Sequence, residues 1–145
     1  MISIDAVTER LETRVVELRY RVQPASEFAR LQQSGAAPTA GLAAFVLPAG
    51  IQGRDAPTAT GLFTQNIRRA ISVVLLVQST DAAGRRALDG LEDLVFKVIE
   101  AIAGWAPAET IGPFQLSSAR IVPTSRGMIG YLIDFFIPDQ LRITP

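Results

Sequence analysis

A chain of 145 residues, 48% apolar and 19% charged, has the composition of one folded domain with a core of useful size. Its 14 basic and 14 acidic residues cancel, which speaks against long-range attraction to nucleic acid or an anionic membrane, though a local patch is compatible with it. There is no Cys and no His, which removes disulfides, thiol chemistry, Cys/His zinc sites and every catalytic scheme built on imidazole.

The chain opens on "MISIDAVTERLETRVV", with Asp5, Glu9 and Glu12 where a secretion signal needs an apolar stretch behind basic residues, so no export is expected. The longest apolar run, "VVLLV" at 73–77, is far short of the roughly 18–20 residues of a membrane span, so a soluble protein is expected. Ile4, Val7 and Leu11 recur at three- and four-residue spacing, which predicts a short amphipathic helix over about 3–13 with Ser3 as N-cap. In "RVVELRYRV", Val16, Leu18 and Tyr20 alternate with Glu17, Arg19 and Arg21, and that period of two predicts a half-exposed strand. A second helix, "PASEFARLQQSG", starts at Pro24 and closes at Gly35, with Phe28 and Leu31 inward. "GAAPTAG" at 35–41 reads as a linker.

"LAAFVLP" reads as a short strand stopped by Pro48, and residues 49–62, with three Gly and one Pro, as a flexible loop. The stretch "FTQNIRRAISVVLLVQST" at 63–80 carries an apolar face through Phe63, Ile67, Ile71, Val73, Leu75 and Val77. Its other face turns apolar only after Ala70, which predicts a strand exposed on one face at its start and buried on both at its end. The longest helix is expected over about 81–103, capped by Thr80 or Asp81. Its inner stripe is Leu88, Leu91, Leu94, Val95, Val98, Ile99 and Ile102, and it ends at Gly104 with Trp105 folding back. Two strands follow, "PFQLSSARIV" and "GMIGYLIDFFIP", joined by "PTSRG", and then a patternless tail over about 139–145. These elements add up to a single α+β domain over 1–145. It is a mostly antiparallel β-sheet of four to five strands with one long and two short helices packed on it.

Chemistry is scarce. No Ser has nucleophile-elbow surroundings, Lys97 reads as a solvated lysine rather than a catalytic base, and "GIQG" lacks a phosphate loop's ending. Asp89, Glu92 and Asp93 straddle the outer face of the long helix and read as solvated, not as metal ligands. No catalytic, cofactor or metal residue is therefore nominated. Asp134, inside an apolar strand, calls for an Arg on a neighbouring strand or chain, because a lone buried carboxylate is costly. Arg68 and Arg69 point to opposite faces: either both are solvated, or one meets another subunit, where Arg is favoured as an anchor. The alternative of a small α/β hydrolase or ligand-binding domain would rest on Asp134 with Ser117 or Arg120.

The order "AAFVLPAG", a Gly/Ala-rich loop, "IRRAISVVLLVQSTDAAG", "ALDGLEDLVFKVIEAIAGWAP" and a closing strand pair resembles the tail terminator proteins of long-tailed bacteriophages and phage-derived particles. The likeness covers roughly residues 1–140 and is most specific from Ala44 to Pro107, through Pro48, Gly104, Trp105 and Pro107. It implies a structural virion protein, not an enzyme. In such a particle six copies form a ring at the head-proximal end of the tail tube, stop tube growth and offer the docking surface for the head. The implied partners are further copies of the chain, the tail tube protein and a head completion or stopper protein. DNA passes through the lumen without specific binding, no membrane or cofactor takes part, and assembly occurs in the host cytoplasm. Another neck component, a head–tail joining or stopper protein, is the nearest alternative. On this reading Arg54, Asp55, Phe63, Gln65, Arg68, Arg69, Arg126 and Asp134 are candidates for subunit or partner contacts.

Overall fold

The computed structural model describes residues 4–35, 41–57, 61–78, 85–107, 111–122, 124 and 128–145. Helix α1 (Ile4–Arg14) leads through a 3₁₀ turn (Val16–Leu18) to the two-residue strand β1 (Val22–Gln23) and helix α2 (Ala25–Ser34). Then come β2 (Leu42–Gly53), β3 (Phe63–Gln78), α3 (Arg85–Ile102), β4 (Gln115–Val122) and β5 (Met128–Ile143). The five strands form one mixed sheet in the order β1-β2-β3-β5-β4, parallel only between β1 and β2. The α+β class, the long central strand and the three helices are as expected from the sequence.

Side-chain alternation divides the core between the two faces of the sheet. Ala44, Val46, Val73, Leu75, Ile133 and Phe135 meet α1 and α3 on one face, through Val7, Leu11, Leu91, Val95, Val98 and Ile102. Ala43, Phe45, Val74, Leu76 and Leu132 meet Leu31 and Phe28 of α2 on the other. Phe28 and Phe45 meet in a tilted pair, 5.1 Å between centroids with 54° between the ring planes. This second cluster has fewer buried members among the described residues, so it is the minor core. α2 ends where Gly35 takes a left-handed φ of 69° and its N–H returns to the Leu31 carbonyl.

Three expectations fail, each for a physical reason. Residues 16–20 are not a strand: the buried positions Val7, Leu11, Val15 and Leu18 continue the helical spacing of α1 through the 3₁₀ turn. Val16 and Tyr20 are left 71% and 89% exposed, and Tyr20 reverses the chain at φ 63°. Pro48 does not stop β2. Beyond Phe45 no described strand pairs with the outer side of β2, and an edge position tolerates a proline. The strand absorbs the irregularity as a bulge between Pro48 and Gly50, where Gly50 has φ 112°, and runs on to Gly53. The expected loop therefore loses residues 49–53 to the sheet. Residues 139–143 are not a free tail either, because β5 continues alongside β3 until Phe63 faces Ile143.

These corrections produce one feature. The lower ends of β2, β3 and β5 run past the helices as a narrow extension. The eight residues Phe63–Ala70 alone span about 25 Å at strand rise. Ser3, Thr80, Asp81, the linker residues 36–40 and Arg126 lie outside the described residues, as does the Leu88 side chain.

Candidate functional site

The extension gathers most of the polar residues singled out in the sequence. Arg54 and Asp55 leave β2 but keep its pairing: the Arg54 N–H donates to the Asn66 carbonyl at 2.7 Å, and the Asn66 N–H to the Asp55 carbonyl at 2.9 Å. The Gln65 side-chain amide donates to the Arg54 carbonyl at 3.2 Å, and Gly53 makes room for it, since a Cβ there would lie 2.9 Å from Gln65 Nε2. Across the strand, the Gln140 amide donates to Asn66 Oδ1 at 3.2 Å and the Arg142 guanidinium to Gln140 Oε1 at 3.0 Å. Phe63 stands at the tip, exposed.

Arg68 and Arg69 do take opposite faces. Arg68 lies over the Phe136 ring, 4.2 Å from its centroid, on the α2 side of the sheet. Such a stack is worth about 0.5–1 kcal/mol at an exposed site. Arg69 turns to the α1/α3 side, into a groove. Its upper part, about 240 Å³, is lined by Ile4, Pro48, Ile51, Ile71, Phe114 and Ile137. A lower part of about 450 Å³ continues along Ile67, Ile111, Leu141 and Ile143, and Ile51 and Arg69 line both. Arg69 Nη1 is buried and has no hydrogen-bond partner among the described residues. Asp139, the carboxylate in the lower part, accepts the Gln140 backbone N–H at 2.8 Å.

Asp134 sits apart from this groove, on the α2 face and within the body of the sheet. Its Oδ1 accepts the Ser72 hydroxyl at 2.5 Å. Its Oδ2 faces Arg120 Nη1 at 3.4 Å and the Ser118 hydroxyl at 3.3 Å. The Arg expected on a neighbouring strand is therefore Arg120, on β4. A carboxylate with two hydroxyl donors and a guanidinium is a satisfied structural network, because Ser72 is otherwise the buried polar side chain of an apolar strand. Lys97 is likewise occupied, bonded to Glu17 at 2.9 Å, an ion pair that raises the lysine's pKa through the hydrogen bond and then the charge.

The wall between groove and helices is fixed by an arrangement with no single sequence signature. Arg10 of α1 donates to the Ala101 carbonyl at 2.9 Å, satisfying an end carbonyl of α3, and lies 4.9 Å from the Trp105 ring centroid. Burial, and then the charge of Arg14, lower its pKa. Gly104, at φ 82°, donates to the Phe114 carbonyl, and Phe114 donates back to Trp105, both at 2.8 Å. The Trp105 and Phe114 rings stack at 5.8 Å. Phe114, fully buried, is thereby held at the upper end of the groove.

Sequence reasoning named the polar rim and missed the apolar lining. Ile51, Leu141 and Ile143 went unassigned because "AGIQG" is rich in glycine and "DQLRI" is short. The available signal was the alternation of Leu141 and Ile143 with Gln140 and Arg142. Asp89, Glu92 and Asp93 are exposed on α3, and no group of three metal-ligand residue types converges among the described residues. Among those residues, no helix is long and apolar enough to cross a membrane.

The family model for the phage tail terminator protein matches residues 1–142 of the chain. Comparison with curated proteins gives no match.

Proposed function

The chain belongs to the phage tail terminator protein family, and on that premise we propose that six copies close a ring on the head-proximal end of the tail tube. Membership gives it a structural role in a phage tail and a place in the virion, in a family of structural proteins rather than enzymes. The ring stops addition of tail tube protein on one side and presents the other to a head completion or stopper protein. It is assembled in the host cytoplasm, and DNA crosses its lumen without being gripped, in keeping with a net charge of zero.

The family match over nearly the whole chain carries this reading. The extension supports it: Ile51, Phe63, Leu141 and Ile143 are exposed together at one end of the sheet, and clustered apolar surface of that kind marks a protein contact. Closure of six identical subunits by one repeated contact requires a heterologous interface, in which two different patches of each subunit meet.

The direct experiment is complementation of a phage lacking the gene for this chain. Tubes should grow beyond their normal length without it and regain a uniform length, with attached heads, when it is supplied. Tubes of normal length in its absence would overturn the reading. Removing residues 54–60 should leave a folded protein that no longer docks; normal particles from that deletion would take the segment out of the docking surface.

A further inference from the structure

We propose that the groove at Arg69 receives the outer face of α3 from a second copy of the chain, with Phe96 as the inserted side chain. The proposal rests on the ring reading above and names the two surfaces that would close the ring.

The groove states what its occupant must bring. Its upper walls are apolar apart from Arg69, its lower part adds Asp139, Gln140 and Arg142 to the apolar lining, and Ile51 is 68% exposed beside it. Its one charged group on the shared stretch is Arg69, whose buried Nη1 has no acceptor among the described residues. A buried donor left unsatisfied is costly, and more so when it is charged. The fitting occupant therefore combines a large apolar side chain with a carboxylate close by.

The outer face of α3 has that chemistry. Asp89, Glu92, Asp93, Phe96 and Glu100 fall at helical spacings of three and four, on one stripe. Phe96 is 58% exposed in the middle of it. Among the described side chains, Asp89, Glu92 and Glu100 have no ion-pair partner, and Lys97 of the same helix is held by Glu17. A carboxylate one turn from Phe96 can meet the Arg69 guanidinium in a charge-assisted, two-pronged bond while the ring fills the groove.

Knob and groove are different surfaces of one subunit, so the contact is head to tail. It leaves a free knob and a free groove on every open chain until rotation closes it. This is a geometry that can close a ring; a two-fold dimer would instead pair both knobs with both grooves and would end the cross-linked ladder of the double variant at the dimer.

The chain has no cysteine, so single thiols report without background. Ile51→Cys and Phe96→Cys are made separately and together in the whole chain, checked for folding by circular dichroism, and treated with a short bifunctional maleimide. The double variant should give a ladder ending in a closed oligomer, the two single variants mixed should give a cross-linked dimer, and each alone should give none. In parallel, Arg69→Glu should raise the concentration needed for assembly by about tenfold or more. Adding Glu92→Arg and Asp93→Arg should recover part of that loss. Cross-linking of either single variant with itself would overturn the head-to-tail contact. A double variant that stays uncross-linked while the unmodified chain forms rings under the electron microscope would overturn these surfaces and leave the ring standing. If the unmodified chain forms no ring alone or on tube ends, the ring reading fails and this contact with it.

Discussion

The same three strands behave differently at their two ends. In the upper half, β2, β3 and β5 are covered on both faces, and Val73, Leu75, Ile133 and Phe135 are buried by α1 and α3. In the lower half the ladder continues for a further eight residues of β3. There Ile51, Phe63, Leu141 and Ile143 remain exposed, and a guanidinium nitrogen lies buried without a partner. Backbone pairing alone does not close a core. The upper half is a folded body, whereas the lower half leaves apolar side chains at its surface, and the proposed contact between copies is what would bury them.

The largest test of that contrast is a pair of substitutions. Phe135→Ala, in the body, should cost about 3–5 kcal/mol in denaturant unfolding. Ile51→Asp, on the extension, should change stability by less than about 0.5 kcal/mol yet abolish assembly seen by light scattering. Equal losses of stability would erase the distinction between the halves.

Next in size is the network on the α2 face. Asp134→Ala leaves the buried Ser72 hydroxyl without its acceptor and should cost about 1–3 kcal/mol. Arg120→Ala removes a mostly exposed partner and should cost about 0–1 kcal/mol. If Arg120 proved the more costly of the two, the ion pair and not the hydroxyl would be what holds Asp134. Arg10→Ala loses both the cap on the Ala101 carbonyl and the stack on Trp105, and should cost about 1 kcal/mol. Because the Trp105–Phe114 pair borders the groove, a change in Trp fluorescence should accompany it.

The smallest effect lies on α2. The hydrogen bond from Arg30, and with it the opposite charge, holds the Glu27 carboxyl below its ordinary pKa. A depressed folded-state pKa stabilises above the unfolded value and is lost as pH falls through the folded one. The melting difference between wild type and Glu27→Gln should therefore be present at neutral pH and shrink below roughly pH 4. Because the pair is exposed, the difference should be slight, and added salt should reduce it further.

Much of the body was legible in the sequence because burial there leaves a period. The alternation in "FTQNIRRAISVVLLVQ" marked β3 from its first residue and the point where both faces close, while the last two residues of the expected stretch, 79 and 80, lie outside the described residues. The stripe Leu91, Leu94, Val95, Val98 and Ile102 gave the body of α3. Errors arose where two periods overlap or where no burial exists to create one. Val16, Leu18 and Tyr20 alternate, but Val7, Leu11, Val15 and Leu18 also continue a helical spacing, and the core uses the second pattern. Residues 49–53 pair through their backbones while their side chains stay exposed, so proline and glycine dominated the reading; residues 139–143, half-buried or exposed, are too short to show a strong pattern. Of the candidate contact residues, Arg54, Asp55, Phe63, Gln65 and Arg69 do lie along the extension. Arg68 lies there too, stacked on Phe136 on the opposite face, Asp134 belongs to the body, and Arg126 lies outside the described residues. The unpartnered nitrogen of Arg69 depends on what three strands, the start of α1 and the α3–β4 connection place around it, and no spacing in the sequence encodes that.

The central claim is that the bare end of the sheet serves assembly and not folding. Electron microscopy of the wild-type chain and of Ile51→Asp, with their melting temperatures measured on the same preparations, tests it most directly. Six-fold rings from the wild type, and monomers of unchanged melting temperature from the variant, are the predicted result. Unaltered rings from the variant, or a variant that melts far below the wild type, would contradict it.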